Sequence, residues 1–292
     1  MSEPRVGLIG FGEAGRAFAP VLAAAAGGLV VHDVAFVADP ARAAAVTAVG
    51  GSPAADPADL TGCDVVLCLV TAATAVAAAE AFAPAARDAP LYVDLNSTSP
   101  ADKHAIVAAV PGARVVDGVM TGGGIRLDGA AIPLSLAGPH AHEAAAVLTR
   151  LGLDASVVGA HIGAAAALKM LRGVVVKGLE ALCVEALLAA AELDLVEPLL
   201  DDVAASLDRP AREFLSMLVT THVAHAGRRR VEAQRIRDTV AATGVPPVMA
   251  TATAELLGRT ADGLHGPGPA PASVAEALAV LRELTTTTGG VR

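Results

Sequence analysis

The sequence predicts an α/β protein in which a doubly wound, mostly parallel sheet with helices on both faces precedes an all-α region. In the first half of the 292 residues, short apolar runs alternate with Ala-rich stretches of helical length. This alternation is typical of parallel strands joined by crossover helices. After about residue 160 no strand-like run recurs. We therefore expect two domains, residues 1–160 and 161–292.

The expected strands are short, apolar and rich in β-branched residues. They are Arg5–Ile9, Leu29–Asp33, Val65–Val70, Leu91–Leu95, Arg114–Asp117, Ile132–Ala137 and Ala155–Val158. The helices between them are expected near 13–26, 40–49, 73–87, 99–109 and 140–151. In the second half we expect helices over 161–191, 198–206, 210–226, 227–243, 246–258 and 272–284, with Pro198, Pro210 and Pro246 near helix starts.

Composition excludes several classes of protein. The net charge is −9 and aromatic residues make up 2% of the chain, which disfavours binding to a nucleic-acid backbone or stacking on bases. The apolar segments are too short, or too often broken by Gly and Pro, for a membrane span. The three cysteines, Cys63, Cys68 and Cys183, have neither disulfide-framework nor zinc-site spacing. With no recognisable signal peptide, these features predict a cytoplasmic protein without a metal.

A glycine-rich turn follows the first expected strand and precedes a helix. It reads Gly10-Phe11-Gly12-Glu13-Ala14-Gly15 and fits the pattern GxGxxG. In this context the first Gly permits the tight turn, the second lets a pyrophosphate approach, and the third lets helix and strand pack closely. Free N–H groups at the helix start then face the phosphates. The turn predicts a dinucleotide-binding Rossmann domain rather than an ordinary strand–helix connection.

Asp33 ends the second expected strand, at the distance from the glycine turn where an acid reads the cofactor ribose. A carboxylate there accepts a hydrogen bond from the 2′-hydroxyl and repels a 2′-phosphate. The alternative is a solvated Asp at a strand end. No Arg follows directly, and Arg42 is the nearest. We therefore expect NAD or NADP, with NAD favoured.

Only three of the 21 basic residues are lysines: Lys103, Lys169 and Lys177. Lys169 lies among apolar residues in AAAALKML. A lysine that only extends its amino group to water could be replaced by Arg. Proton transfer needs Lys, because a desolvated amine changes charge near neutral pH while a guanidinium stays protonated. Lys169 is therefore the candidate general acid/base, whereas Lys177 and Glu180 read as a helix ion pair.

Three further sites are candidates for substrate binding. Arg172 lies one turn from Lys169 and could clamp a carboxylate or phosphate, unless it is solvated or at a dimer interface. Thr121, Gly122 and Gly123 follow a strand and could form an anion nest, or simply a loop. His225 begins a polar stripe with Arg228, Arg229 and Glu232, which is either a solvated helix face or a contribution to the cleft.

Five segments occur in a specific order: GLIGFGEAG (7–15), CLVTAAT (68–74), YVDLNSTSP (92–100), VVDGVMTGGG (115–124) and HIGAAAALKM (161–170). As an ordered set they resemble the β-hydroxyacid dehydrogenase superfamily, which includes 6-phosphogluconate dehydrogenase. The resemblance spans most of the first 175 residues. The helical remainder, especially HAGRRRVEAQ (225–234), is similar to a poorly characterised branch with the 6-phosphogluconate-dehydrogenase-type cofactor domain.

The resemblance implies a set of residue roles. Val70 and Thr71 would line the nicotinamide side of the site, and Asn96 and Ser97 would lie near the nicotinamide ribose and the substrate. Thr121, Gly122 and Gly123 would hold the acid group of the substrate, and Lys169 would be the catalytic lysine. The resemblance also implies a homodimer formed through the helical domain. The lysine motif of the superfamily is GxGxxxKxxNN. In this chain its second Gly is replaced by Ala165, and its two Asn are replaced by Arg172 and Gly173.

The sequence thus predicts an NAD(P)-dependent dehydrogenase or reductase acting on a small polar, anionic hydroxy or carbonyl substrate, with the cofactor transferring the hydride. One alternative is reduction of a C=N bond, since imine reductases share this architecture. The other is a dinucleotide-binding sensor without catalysis, which the missing Asn motivates.

Overall fold

A computed structural model describes residues 3–121, 132–264 and 270–288. The chain forms two compact units, Met1–Val174 and Val175–Arg292. This division falls inside a long helix, whereas the sequence places the domain boundary just before that helix. The boundary at 160/161 stays a prediction.

The described part of the first unit is built on an eight-stranded sheet with the order β3-β2-β1-β4-β5-β6-β7-β8. All neighbouring strands are parallel except β6 and β7, which pair antiparallel. The order reverses direction at β1, so the carboxyl ends of β1 and β4 flank a topological switch point where ligands bind in such sheets. The strands are β1 Val6–Ile9, β2 Leu29–His32, β3 Ser52–Ala54, β4 Val65–Cys68, β5 Leu91–Asp94, β6 Arg114–Met120, β7 Leu134–Ala137 and β8 Ala155–Gly159.

Helices cover the sheet and bury its aliphatic side chains. Two clusters of buried residues form the core, one including Leu8, Phe18 and Val93 and the other including Val66, Phe82 and Tyr92. Because the central strands are buried along their whole length, their sequences read as unbroken apolar runs. The helices are α1 Glu13–Ala25, α2 Pro40–Ala48, α3 Ala75–Phe82, α4 Pro100–Ala109 and α5 Ala141–Arg150.

The second unit is helical, and the predicted fold class is confirmed. It continues α6 Ala164–Ala191 and adds α7 Val196–Leu207, α8 Ala211–Ala242, α9 Val248–Gly263 and α10 Val274–Thr288. Helices α8 and α9 pack on each other through Ala233, Ala254 and Leu257. The carboxylate of Glu185 accepts hydrogen bonds from the backbone N–H groups of Met249 and Ala250, which satisfies the start of α9.

The structure corrects three element predictions. Strand β3 was missed because it is a three-residue edge strand containing Pro53, a residue that usually argues against a strand. The helix expected over 73–87 ends at Phe82, and a 3-10 turn with Pro84 follows. The two helices expected over 210–226 and 227–243 are one helix, α8, which passes through Gly227; a Gly inside a helix costs only about 1 kcal/mol.

Within the described ranges no helix is both long enough and apolar enough to cross a bilayer.

Candidate cofactor and proton-transfer site

The predicted glycine turn connects β1 to α1, and two of its glycines are required by the backbone. Gly10 has φ +98°, and a Cβ there would lie 2.3 Å from the carbonyl oxygen of Leu69. A Cβ on Gly15 would lie 2.2 Å from the carbonyl oxygen of Gly10, so only Gly lets α1 pack this closely. The two residues therefore fix how the turn and the helix meet.

Gly12 differs from Gly10 and Gly15, because a Cβ at this position would meet open space instead of backbone atoms. Apart from its chain neighbours and the adjoining helix backbone, no described atom lies within 4 Å of where its Cβ would be. Gly12 is also the N-cap of α1 and leaves the first turn without a side-chain acceptor. Open space beside free helix N–H groups is what a pyrophosphate requires, so these residues fit a dinucleotide.

A cavity of 830 Å³ opens at this turn and brings most of the predicted cofactor residues together. Phe11 and Gly15 do not line this cavity. The Phe11 side chain is buried in the core, where its ring contacts Phe36 and packs under the turn on the core side. The predicted residues in the lining are Gly10, Gly12, Glu13, Ala14, Asp33, Val70 and Thr71.

Asp33 is held at the edge of this cavity by backbone groups. Its carboxylate accepts hydrogen bonds from the N–H groups of Phe11, at 2.6 Å, and Ala35, at 2.8 Å. The guanidinium of Arg42 lies 3.6 Å from the same carboxylate and also lines the cavity. Arg42 comes from α2, so its place beside Asp33 depends on how α2 packs after β2.

A second cavity of 220 Å³ continues from the first and shares Ala14, Leu69, Val70 and Met120 with it. Asn96 and Ser97, from the loop after β5, line this second cavity. The side-chain amide of Asn96 donates hydrogen bonds to Cys68 and to the carboxylate of Asp94, while its buried carbonyl oxygen has no hydrogen-bond partner in the described chain.

Lys169, on α6, reaches this second cavity through Ser97. Its Nζ donates a hydrogen bond of 2.5 Å to Oγ of Ser97. Burial lowers the pKa of Lys169, and the positive charges of Lys103 and then Arg172 lower it further. The structure therefore places a half-buried amine, with a pKa below the usual lysine range, beside the cavity predicted for the nicotinamide.

The other predicted substrate residues are less closely placed. Thr121 directly follows β6 and shares a hydrogen bond of 3.1 Å with Ser135 on β7. Arg172 is exposed on α6. Gly122 and Gly123 lie outside the described residues. His225 is exposed on α8 in the second unit, where Arg228 pairs with Glu232. The roles predicted for all of these stay predictions.

Two residues near the site were missed by sequence reasoning. They are Arg42, which the sequence identifies only as the nearest Arg to Asp33, and the buried Lys103, for which the sequence indicates no role. No pattern of neighbouring residues identifies either one, because both depend on contacts between separate elements. In the parts of the chain that the structure describes, no group of three or more His, Cys, Asp or Glu side chains is arranged to hold a metal ion.

Comparisons with known proteins give the family context. Residues 190–260 match DUF1932, a domain of unknown function. The chain is 30% identical to a conserved protein of unknown function described as structurally similar to 3-hydroxyacid dehydrogenases; the match covers 88% of this chain and 97% of that one, with a TM-score of 0.62.

Two other relatives have comparable similarity. A conserved hypothetical protein from Sinorhizobium meliloti is 29% identical, with 97% of both chains covered and a TM-score of 0.62. An uncharacterized 28.5 kDa protein from the 7S RNA 5′ region of Methanothermus fervidus is 26% identical over 194 residues, which is 66% of this chain and 74% of that one.

More distant structures share the fold alone. The 3-hydroxyisobutyrate dehydrogenase of Mycobacterium tuberculosis, with L-serine, is 21% identical over 97% of this chain and 99% of that one, with a TM-score of 0.62. The imine reductase of Myxococcus stipitatus, in complex with NADP+, is 18% identical over 95% of this chain and 100% of that one, with a TM-score of 0.67.

Proposed function

This chain belongs to the β-hydroxyacid dehydrogenase superfamily, in a poorly characterised branch with its own helical C-terminal region, and we propose that it is an NAD(P)-dependent oxidoreductase acting on a small, polar, anionic hydroxy or carbonyl substrate. The observation that carries the proposal is the hydrogen bond from Lys169 to Ser97, beside a cavity that runs on from the glycine turn. This contact supports the proposal because it joins the proposed general acid/base to the cavity in which we expect the dinucleotide.

Lys169 is the general acid/base. In oxidation its free amine takes the proton from the substrate hydroxyl, and in reduction its ammonium returns a proton to the carbonyl oxygen. A bound nicotinamide dinucleotide supplies or accepts the hydride at the neighbouring carbon. Ser97 holds the amino group in place, so the proton moves at a defined position.

Gly12 and the first turn of α1 would hold the pyrophosphate of the dinucleotide. Gly10, Glu13, Ala14, Val70 and Thr71 line the same cavity. The unpartnered carbonyl oxygen of Asn96 is placed to accept a hydrogen bond from a donor in the second cavity. Phe11 and Gly15 support the turn from the core side.

Asp33 and Arg42 together set the cofactor preference. The carboxylate of Asp33 favours the 2′-hydroxyl of NAD, while the guanidinium of Arg42 offers a charge partner to the 2′-phosphate of NADP. We propose that NAD is preferred, but that NADP is also bound, because the two opposite charges lie only 3.6 Å apart.

We expect an anionic substrate because Arg172 adds a second positive charge close to Lys169. Arg172 lies one helical turn further along α6, and it is proposed to clamp a carboxylate or phosphate of the substrate. Thr121, Gly122 and Gly123 are proposed to bind the same acid group, and His225 is proposed as a further substrate-binding residue.

The protein is proposed to be a homodimer formed through its helices. Most side chains of helix α6 are apolar, and it exposes Leu171, Val174, Val175, Leu179 and Leu188 at 67, 71, 57, 52 and 54%. An exposed apolar surface of this extent marks an interaction site, and a second copy of the same helix supplies a matching apolar partner.

The proposed location is the cytoplasm. The three cysteines are free thiols, which agrees with a reducing cytoplasm.

Reduction of a C=N bond is the second candidate, since the chain shares its fold with imine reductases and has Gly173 where the superfamily motif has an Asn. Lys169 would then donate its proton to nitrogen instead of oxygen. The third candidate, a dinucleotide sensor, needs no proton transfer at all.

The test is a fluorescence titration with NADH and NADPH, followed by turnover assays on hydroxyacids, aldehydes, ketoacids and cyclic imines. The proposal expects binding, turnover of an anionic hydroxy or carbonyl compound, and loss of that turnover in Lys169→Ala. Turnover of imines alone would establish the second candidate. Tight binding with no turnover of any compound would establish the sensor.

A further inference from the structure

A buried cation lies directly behind the proposed site. Lys103, on α4, is 1% exposed. Its Nζ donates hydrogen bonds of 2.9 Å to the backbone carbonyl oxygens of Asp94 and Gly118, and a further bond to the carboxylate of Asp94. The carboxylate of Asp117 lies 3.4 Å away. The ammonium therefore joins the ends of β5 and β6.

A gain in folding stability does not by itself explain this buried ion-pair cluster of Lys103, Asp94 and Asp117. Buried ion pairs can often be replaced by apolar residues of similar volume without loss of stability, because desolvation offsets the attraction between the charges. The three N–H donors of a compact ammonium match the three oxygen atoms that accept hydrogen bonds here, whereas the donors of a planar guanidinium have a different, fixed geometry. The other contacts of the Asp94 and Asp117 carboxylates indicate a second role for this cluster of Lys103, Asp94 and Asp117.

The carboxylate of Asp117 holds the start of α6. Its Oδ2 accepts hydrogen bonds from the N–H groups of Ala165, at 2.9 Å, and Ala166, at 3.2 Å. Lys169 lies one turn beyond Ala165, so the cap on the helix also fixes the position of Lys169 along the helix axis.

The carboxylate of Asp94 holds the other partner. It accepts a hydrogen bond from the side-chain amide of Asn96, and Ser97 follows Asn96 in the same loop. The bond from Lys169 to Ser97 then closes a ring that runs through Lys103, Asp94, the loop after β5, α6 and Asp117.

We propose that Lys103 is a positioning residue, which acts through Asp94 and Asp117 to hold the amino group of Lys169 against Ser97. The inference rests on the proposed function, because it gives Lys103 a role in the placement of the catalytic amine. Lys103 itself is buried and lines neither of the two cavities.

The charge of Lys103 acts in the same direction. The charged groups that act on Lys169 are Lys103, from α4, and Arg172, from its own helix, and both lower the pKa of Lys169 after burial has done so. Lys103 thus favours the free-base form of the amine that it positions.

The test labels lysine amino groups with acetic anhydride over a pH series and measures the acetylated fraction by mass spectrometry. The chain has only three lysines, so each is resolved, and the exposed Lys177 serves as the internal reference. In the native protein, Lys169 should reach half-labelling at a lower pH than Lys177. In Lys103→Met this difference should shrink, roughly by the effect of one nearby like charge.

The same variant should lose kcat by about 10²-fold, as expected for a displaced catalytic group, while its dissociation constant for NADH stays within about threefold of the native value, a change worth less than about 1 kcal/mol. Lys177→Met is the matched control and should change neither quantity. If Lys103→Met fails to fold, Lys103→Met/Asp94→Asn removes the ion pair without leaving that carboxylate unpaired, and it is measured in the same way.

An unchanged labelling profile for Lys169 in the folded variant overturns the inference and leaves the proposed function in place. Failure to bind either dinucleotide, or to turn over any substrate, overturns the proposed function while the labelling result stands by itself. The two failures are therefore distinguished by separate measurements.

Discussion

The amino group of Lys169 lies 2.5 Å from Oγ of Ser97, although 72 positions separate the two residues in the sequence. One is on α6 and the other is on the loop after β5, at the carboxyl edge of the sheet. Their contact joins the lysine motif to the cavity that extends from the glycine turn.

Replacing Lys169 by Arg tests the need for an amine that changes charge. Arg stays protonated at all accessible pH values, so kcat should fall by the 10²–10⁴-fold, roughly, that general acid–base catalysis contributes. Lys177→Arg should retain full activity. Steady-state kinetics and thermal unfolding of both variants provide the measurement; equal activity in the two would remove Lys169 from the mechanism.

The pH dependence of kcat/KM should report the lowered pKa of Lys169. In the oxidation direction the amine must be free, so activity should rise with pH through a pKa below the usual lysine range. In the reduction direction the ammonium must donate, so activity should fall through the same pKa. A limb that remains in Lys169→Ala would belong to another group.

Gly12→Asp separates cofactor binding from folding. Because the space beside Gly12 is open, the new side chain fits the fold but places a negative charge where we propose that the pyrophosphate binds. We expect the melting temperature to stay unchanged and NADH binding to be lost in a fluorescence titration.

Gly15→Ala is the matched contrast to Gly12→Asp. Its Cβ would meet the carbonyl oxygen of Gly10 at 2.2 Å, so we expect a loss of about 1–3 kcal/mol in unfolding free energy. A destabilised Gly12→Asp beside an undisturbed Gly15→Ala would contradict both expectations.

The cofactor preference should follow charge changes at Asp33 and Arg42. Asp33→Asn keeps the size of the side chain but removes the charge that repels a 2′-phosphate, so the affinity for NADPH relative to NADH should rise about tenfold, equivalent to about 1.4 kcal/mol. Arg42→Ala should lower the same ratio. Titrations with both dinucleotides measure it, and an unchanged ratio in both variants would show that neither residue reads the ribose.

Oligomerisation through α6 should be sensitive to a charge on its exposed apolar surface. Val175→Glu places a carboxylate at a residue that is 57% exposed, and we expect it to convert a dimer into a monomer in size-exclusion chromatography with light scattering. Val37→Glu, at a residue that is 91% exposed in the first unit, is the control and should leave the dimer intact.

Local sequence determined the fold class and the glycine-rich turn between β1 and α1. The apolar runs of β1, β4 and β5 and the residues from Gly10 to Gly15 carry their own conformational preferences, and the physical cause lies within a few neighbouring residues. The rarity of lysine in the chain also indicates Lys169 as the candidate general acid/base.

Tertiary packing alone decided which charged groups pair beside the two cavities. Arg42 reaches Asp33 from another helix, and Lys103 is buried between carboxylates from β5 and β6. The same applies to the short edge strand β3 and the antiparallel pairing of β6 with β7. Such contacts join residues far apart in the chain, and their energies depend on burial and distance, which no local pattern of residue types encodes.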